Sequence, residues 1–165
     1  MTKGYKATYN YKCKNQTYEI GQEYKLDEKP ILCQYGFHYC LNAKDTLNYY
    51  PLKPDFKLLE IEDLNPNDTI TGYEKSCSNH IKIIREITDK EELFSLLGKQ
   101  HTYNKNGEIL TSKNSDGYSY ECTYNKNGEI LTSKNSNGYS YECTYDENGN
   151  KLTYKDSNGY SYECT

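Results

Sequence analysis

Two rhythms of apolar side chains run along this chain, and they change over near Gly98. In the first hundred residues the apolar positions come in short runs. Tyr5, Ala7, Tyr9 and Tyr11 alternate with Lys6, Thr8 and Asn10, which predicts a strand over Gly4–Tyr11. Thr17–Ile20, Gln22–Leu26, Ile31–Cys33 and Phe37–Cys40 read as shorter strands, and Lys57–Glu62 and His80–Ile87 as the clearest ones. Asn42 is placed to cap a short helix, Ala43–Tyr50, that Pro51 stops. Thr88-Asp89-Lys90-Glu91 has the order of a capping box. The helix it opens carries Leu93, Phe94, Leu96 and Leu97 on one side and ends at Gly98. These elements make a compact α+β domain over residues 1–98, with 99–101 as a linker.

The second rhythm is a repeat. Residues 102–122, 123–143 and 144–164 are three units of 21 residues. The first two differ only at Asp116 against Asn137. Self-similarity this close dominates the fold expectation for the region. Each unit carries two turn signals, Asn106-Gly107 and Ser115-Asp116-Gly117 in the first. The runs between them are of strand length and rich in Tyr and Thr. Asn-Gly suits a two-residue type I′ turn. Two such even loops in an odd period would flip every side chain from one repeat to the next. A three-residue loop at Ser115-Asp116-Gly117, with Gly117 in a left-handed bulge position, restores the parity.

That register sets Leu110 against Cys122 and Ser112 against Tyr120. One face then carries Leu110, Ser112, Tyr118, Tyr120, Cys122 and Tyr124, and the other Ile109, Thr111, Lys113, Ser119, Glu121 and Thr123. The third unit agrees: Lys151 replaces Ile on the polar face, and Leu152 and Tyr154 keep the other face apolar. The expected class is α+β, mainly β: a small N-terminal α+β domain followed by an antiparallel β-hairpin repeat sheet over 102–165. Its tyrosines form one continuous wall, with Tyr118, Tyr120, Tyr139, Tyr141, Tyr160 and Tyr162 as binding residues.

Composition narrows the function classes. Residues 1–101 hold 14 basic and 15 acidic side chains, and the remainder 6 and 9. Neither part has the lysine and arginine surplus that phosphate binding uses, so a protein partner is favoured over nucleic acid. No apolar run approaches the roughly 18 residues of a membrane helix, and the start lacks the apolar stretch of a signal peptide. A cytoplasmic protein with reduced thiols is the expectation. The seven cysteines are odd in number. Cys122, Cys143 and Cys164 would stand two strands apart, about 9–10 Å, beyond disulfide reach.

Three resemblances bear on chemistry. Tyr145-Asp146-Glu147-Asn148-Gly149-Asn150 resembles the core of the YD-type tandem repeats of bacterial RHS-like proteins. Lys3-Gly4-Tyr5-Lys6, Tyr18-Glu19-Ile20-Gly21, Gly36-Phe37-His38-Tyr39-Cys40 and the strand at His80 resemble an uncharacterised domain common in phage and prophage proteins, over roughly residues 3–88. That resemblance suggests a phage or prophage origin and supplies no activity. Gly36-Phe37-His38-Tyr39, with Ala43 and Tyr50 following, also resembles the NAD-pocket strand and helix of ADP-ribosyltransferases, which would make His38 and Glu74 catalytic and NAD the cofactor. Lys3-Gly4-Tyr5 lacks the His or Arg of the first motif of those enzymes. Cys33, His38, Cys40, Cys77 and His80 are a candidate zinc set, in looser spacing than structural zinc sites use. His38 and Cys40, two apart on a strand, share a face as a base and thiol would.

The leading expectation is a non-catalytic interaction protein without cofactor. It would bind a protein partner, or self-associate, through the tyrosine face or the open edge of its last strand. The alternative is an NAD-using transferase with the repeats as a targeting tail.

Overall fold

The computed structural model describes residues 2–164. The chain divides into two compact units, Met1–Leu97 and Gly98–Thr165. Both are built from antiparallel strands, with one short α-helix in the first. This is the expected α+β, mainly-β class.

The first unit has nine strands: β1 (Thr2–Tyr9), β2 (Lys12–Cys13), β3 (Gln16–Thr17), β4 (Glu23–Lys25), β5 (Phe37–Tyr39), β6 (Phe56–Asp63), β7 (Ile70–Thr71), β8 (Ser76–Ser78) and β9 (His80–Glu86). Six of them form a sheet in the order β3-β2-β1-β6-β9-β4, and three form a smaller sheet, β5-β8-β7. The central strand β6 is buried on both faces, which is why Leu58 and Leu59 stand side by side in it instead of keeping a strict alternation. On one face Leu59 and Ile61 join Ile81 and Ile83 of β9, with Tyr18, Phe37 and Tyr39 over them. On the other, Leu58 and Ile87 pack with Ala43 and Leu97. Ala43 lies in a 3-10 helix, Ala43–Asn48, and Leu97 ends α1 (Lys90–Leu97).

A buried carboxylate ties the two sheets together. Asp63, at the end of β6, accepts hydrogen bonds from the Tyr39 hydroxyl (2.9 Å), the Ser78 hydroxyl (2.7 Å), the Thr69 hydroxyl (2.5 Å) and the Asn65 amide (3.0 Å). With four donors its lone pairs are satisfied, so the cost of burying it is met locally.

Some local expectations shift. The N-cap of α1 is Asp89, whose carboxylate accepts from the Glu92 amide at 2.8 Å, one residue later than the box starting at Thr88. Gly98 does close the helix, in left-handed backbone (φ +67). Ile31–Cys33 is no strand; it holds a single bridge, Ile31 to Tyr35, and Cys33 turns left-handed (φ +69). Residues 99–101, expected as a linker, belong to a strand, because their backbone pairs with the first repeat: Lys99 lies opposite Asn114 and His101 opposite Ser112.

The second unit is one seven-stranded meander: β10 (Lys99–Tyr103), β11 (Ile109–Asn114), β12 (Ser119–Tyr124), β13 (Ile130–Asn135), β14 (Ser140–Tyr145), β15 (Lys151–Asp156) and β16 (Ser161–Glu163). Ser112 lies opposite Tyr120, as the parity argument requires. The route to that register differs from expectation in one turn. Gly107, Gly128 and Gly149 have positive φ but the asparagines before them do not, so these turns are not type I′. Each is a three-residue loop closed by a glycine, Asn104 N–H donating to the Glu108 carbonyl (3.0 Å) and Gly107 N–H to the Asn104 carbonyl (3.1 Å). Two odd loops would break the parity again. A bulge restores it: the pairing steps from Thr102–Thr111 to Tyr103–Ile109, leaving Leu110 as the extra residue. The step recurs at Thr123/Tyr124 and Thr144/Tyr145. Because Tyr120 in turn faces Asn135, the neighbour of Ser112 two strands over is Asn135 and not its repeat-mate Ser133.

Candidate functional site

Two surfaces carry concentrated chemistry, one in each unit. The first is the tyrosine face of the meander. The bulge carbonyls are capped from the following unit: the Tyr124 hydroxyl donates to the Ile109 carbonyl (2.8 Å) and the Tyr145 hydroxyl to the Ile130 carbonyl (3.0 Å). These two tyrosines are structural; burial pushes the Tyr124 phenol up to about 12. The turns also interlock. The Glu108 carboxylate lies where a Cβ at Gly128 would stand, and Glu129 does the same at Gly149. Each unit thus touches its successor at fixed points, as solenoid repeats do.

Other tyrosines of this face keep part of their rings exposed. Tyr118, Tyr160 and Tyr162 are 36%, 62% and 38% exposed. The rings fall into two groups rather than one continuous wall. Tyr118 lies against Tyr120 at 6.4 Å. Tyr139, Tyr141, Tyr154, Tyr160 and Tyr162 form the second group, in which Tyr154 stacks on Tyr141 (5.6 Å) and on Tyr162 (5.7 Å). The reason is Tyr154 itself. Ser112 and Ser133 hold its place in the earlier units, too small to bridge neighbouring rings. Tyr154 also shares a 2.6 Å hydrogen bond with the Tyr139 hydroxyl, which raises its own phenol's pKa.

The opposite face of the meander is largely polar, and its threonines bond to one another. Threonine hydroxyls pair across the strands at 2.6 Å, Thr102 with Thr111, Thr123 with Thr132 and Thr144 with Thr153. Glu121 stands opposite Lys134, and Glu142 opposite Lys155. A shallow groove of about 720 Å³ crosses this face beside Thr111, Glu121, Thr132, Lys134 and Glu142. Nothing in the tyrosine-centred reading of the sequence pointed to it.

The second surface is a pocket of about 860 Å³ in the first unit, bordered by β1, the β2–β3 turn, β5 and the end of the 3-10 helix. Lys6 enters it from β1. It is only 4% exposed, and its ammonium donates to the His38 carbonyl at 2.7 Å and lies 4.9 Å over the Tyr18 ring. Burial pulls its pKa down, with the neighbouring thiols of Cys13, Cys77 and Cys40 opposing that shift. His38 lines the same pocket. Its Nε2 accepts from the Cys33 amide at 2.8 Å, so the ring is neutral with its proton on Nδ1. Burial pushes its pKa down to about 4, and the charges of Lys6, Lys75 and Lys14 push the same way. An imidazole held this way is a poor general base for Cys40, whose thiol burial raises to about 11.

Glu74 is not among the residues bordering the pocket; its carboxylate accepts from Tyr49 at 3.3 Å. Of the zinc set, Cys33 and Cys77 stay near His38, through the Cys33 amide and the His38–Cys77 strand pair. His80 instead faces Glu23 at 3.5 Å. Among the described residues no three His, Cys, Asp or Glu side chains converge as a metal site would require. The seven cysteines are free thiols. Among the described residues no helix is long and apolar enough to cross a membrane.

Lys6, Cys13 and Tyr50 border the pocket together, the Tyr50 hydroxyl donating to the Cys13 sulfur at 2.9 Å; nothing in the sequence assigns a chemical role to the first two, and Tyr50 enters only through the transferase resemblance. Lys6 has the polar phase of an alternating strand, and nothing in that phase says that β5 will cover it.

No curated protein matches the chain. An uncharacterised domain ahead of the repeats was the expectation for residues 3–88, and a family model of the domain of unknown function DUF7666 matches residues 2–95. That match covers more than half of the sequence, the whole of the two-sheet unit up to the last turn of α1, so the chain belongs to the DUF7666 family.

Proposed function

We propose that this is a non-catalytic interaction protein whose repeat sheet engages a protein partner through its tyrosine face. The observation that carries the reading is the set of partly exposed rings, Tyr118, Tyr139, Tyr141, Tyr160 and Tyr162, all on one side of the sheet. Rings of this kind dominate contact energetics because each offers a large rigid area with a polar tip. On the other side the threonine hydroxyls already pair across the strands, which makes it the weaker candidate. A phage- or prophage-encoded origin, action on host machinery such as a defence system, and a place in the host cytoplasm go with this reading on the strength of the sequence resemblance. The open edge at β16 adds self-association as a second use of the same sheet.

The test compares two variants of the full chain expressed in a bacterial host. One replaces Tyr118, Tyr139 and Tyr160 with Ser; the other replaces Thr132 and Lys134 with Ala on the opposite face. A partner or self-association recovered with the parent chain should be lost in the tyrosine variant and kept in the other. Recovery that is the same in both, or lost only with the Thr132/Lys134 change, would overturn the reading.

A further inference from the structure

We propose that the pocket of the first unit binds a small anion that carries a planar ring, the chemistry shared by nucleoside monophosphates and aromatic carboxylates. Three features of the pocket point there. The first is charge. Lys6, Lys14 and Lys75 border it, and no Asp or Glu does, in a chain that holds 24 acidic residues against 20 basic ones. Lys6 takes part in none of the ion pairs found among the described residues. A buried ammonium without a carboxylate is costly, and an anion is the ligand that offsets the cost.

The second is the wall. Tyr35 and Tyr49 flank the opening with partly exposed rings, and Lys75 lies 4.6 Å over the Tyr49 ring. Flat rings beside ammonium groups suit a ligand that is itself flat and negatively charged. Asn15, Gln34 and Asn48 also border the pocket and add polar character to it. The volume, about 860 Å³, falls in the range of small-molecule sites.

The third is the backbone of the rim. Lys14 (φ +53) and Cys33 (φ +69) are left-handed without being glycine, and both border the pocket. Such conformations cost about 1–2 kcal/mol each and cluster where side chains must be aimed. At Lys14 the turn spends this on a lysine that projects toward the site.

The proposal is independent of the tyrosine face, so the two can fail separately. Its test is calorimetric titration of the full chain with AMP, adenosine, inorganic phosphate and salicylate. The ring and the charge are both needed, so AMP or salicylate should bind in the millimolar range or tighter, and adenosine and phosphate should each bind at least roughly tenfold more weakly, about 1.4 kcal/mol. Which of AMP and salicylate binds identifies the source of the anion. Lys14→Gly removes the charge while relieving the left-handed backbone, so it keeps the fold, and Lys75→Ala removes a charge at the surface. Each should weaken the binding ligand three- to tenfold, and more at low salt than at high. Binding of neither AMP nor salicylate, equal binding of adenosine and AMP, or affinity unmoved by both lysine variants would overturn the proposal.

Discussion

The two units hold their strands together by different means. In the first, two sheets and two helices close over a core in which Leu59, Ile61, Ile81 and Ile83 have no exposed surface. In the second there is one sheet, and among the described residues its only buried side chains are Ser112, Cys122 and Cys143. The first unit is stabilised by burial in three dimensions. The repeat sheet relies on its hydrogen-bond ladder, cross-strand pairs and the contacts that link each unit to the next. The lesson is that a regular array can dispense with a core when each unit makes the same few contacts with its neighbour, and that its faces then stay available.

The sharpest way to break this comparison is to truncate one of the most buried side chains of each unit. Ile61→Ala should cost the first unit about 2–5 kcal/mol by denaturant unfolding, whereas Cys122→Ala should cost the sheet about 1 kcal/mol. Comparable losses would mean that the sheet has a core after all. Next comes the turn row. Gly128→Ala and Gly138→Ala each force a side chain into left-handed backbone, worth about 1–2 kcal/mol. Gly128→Ala should cost more, because its Cβ would stand against the Glu108 carboxylate, while nothing lies within 4 Å at Gly138. Adding Glu108→Ala should remove that excess; if it does not, the turns are not coupled.

The first unit should also respond to acid through His38. Folded, its imidazole resists protonation down to about 4, while its ordinary value is 6.5. Between these values the unfolded chain binds the extra proton, so stability falls as pH drops through that window. Allowing for partial exposure, the effect is on the order of 1 kcal/mol. His38→Gln should flatten the slope over that window, and an unchanged slope would show that His38 is not the group responsible. The smallest effect concerns the rings. Tyr154→Ser gives the third unit the residue that its predecessors carry. It should cost about 0.5–1.5 kcal/mol and shorten the ring cluster without altering the register. A larger loss would assign Tyr154 a core role.

Legibility in the sequence also differed between the units. The repeat register could be read because the period is odd and identical units must bury identical residues. The bulge at Leu110 escaped, because a two-residue turn and a three-residue turn plus bulge give the same pairing in the body of the strands. In the first unit β1, β6, β9 and α1 announced themselves by period. β7 and β8, made of Ile70–Thr71 and Ser76–Ser78, have no such pattern. Of the pocket, Cys33, His38 and Cys40 stand out in the sequence for metal or thiol chemistry, and Gly36, Phe37, Tyr39 and Tyr50 only through the transferase resemblance. Its lysines come from β1, the β2–β3 turn and the segment before β8, and no local string brings them together.

The strand register sets a pitch for anything that reads the tyrosines. Ser112 faces Asn135 two strands on, so each hairpin is set back by two residues from the one before. Moving from one tyrosine to its counterpart therefore means about 9.6 Å sideways and about 7 Å along the strand, close to 12 Å on the diagonal. A binding partner with recesses spaced near that interval engages successive rings in phase. One ruled at the plain two-strand spacing falls out of step by the third ring, so the sheet discriminates by distance as well as by chemistry.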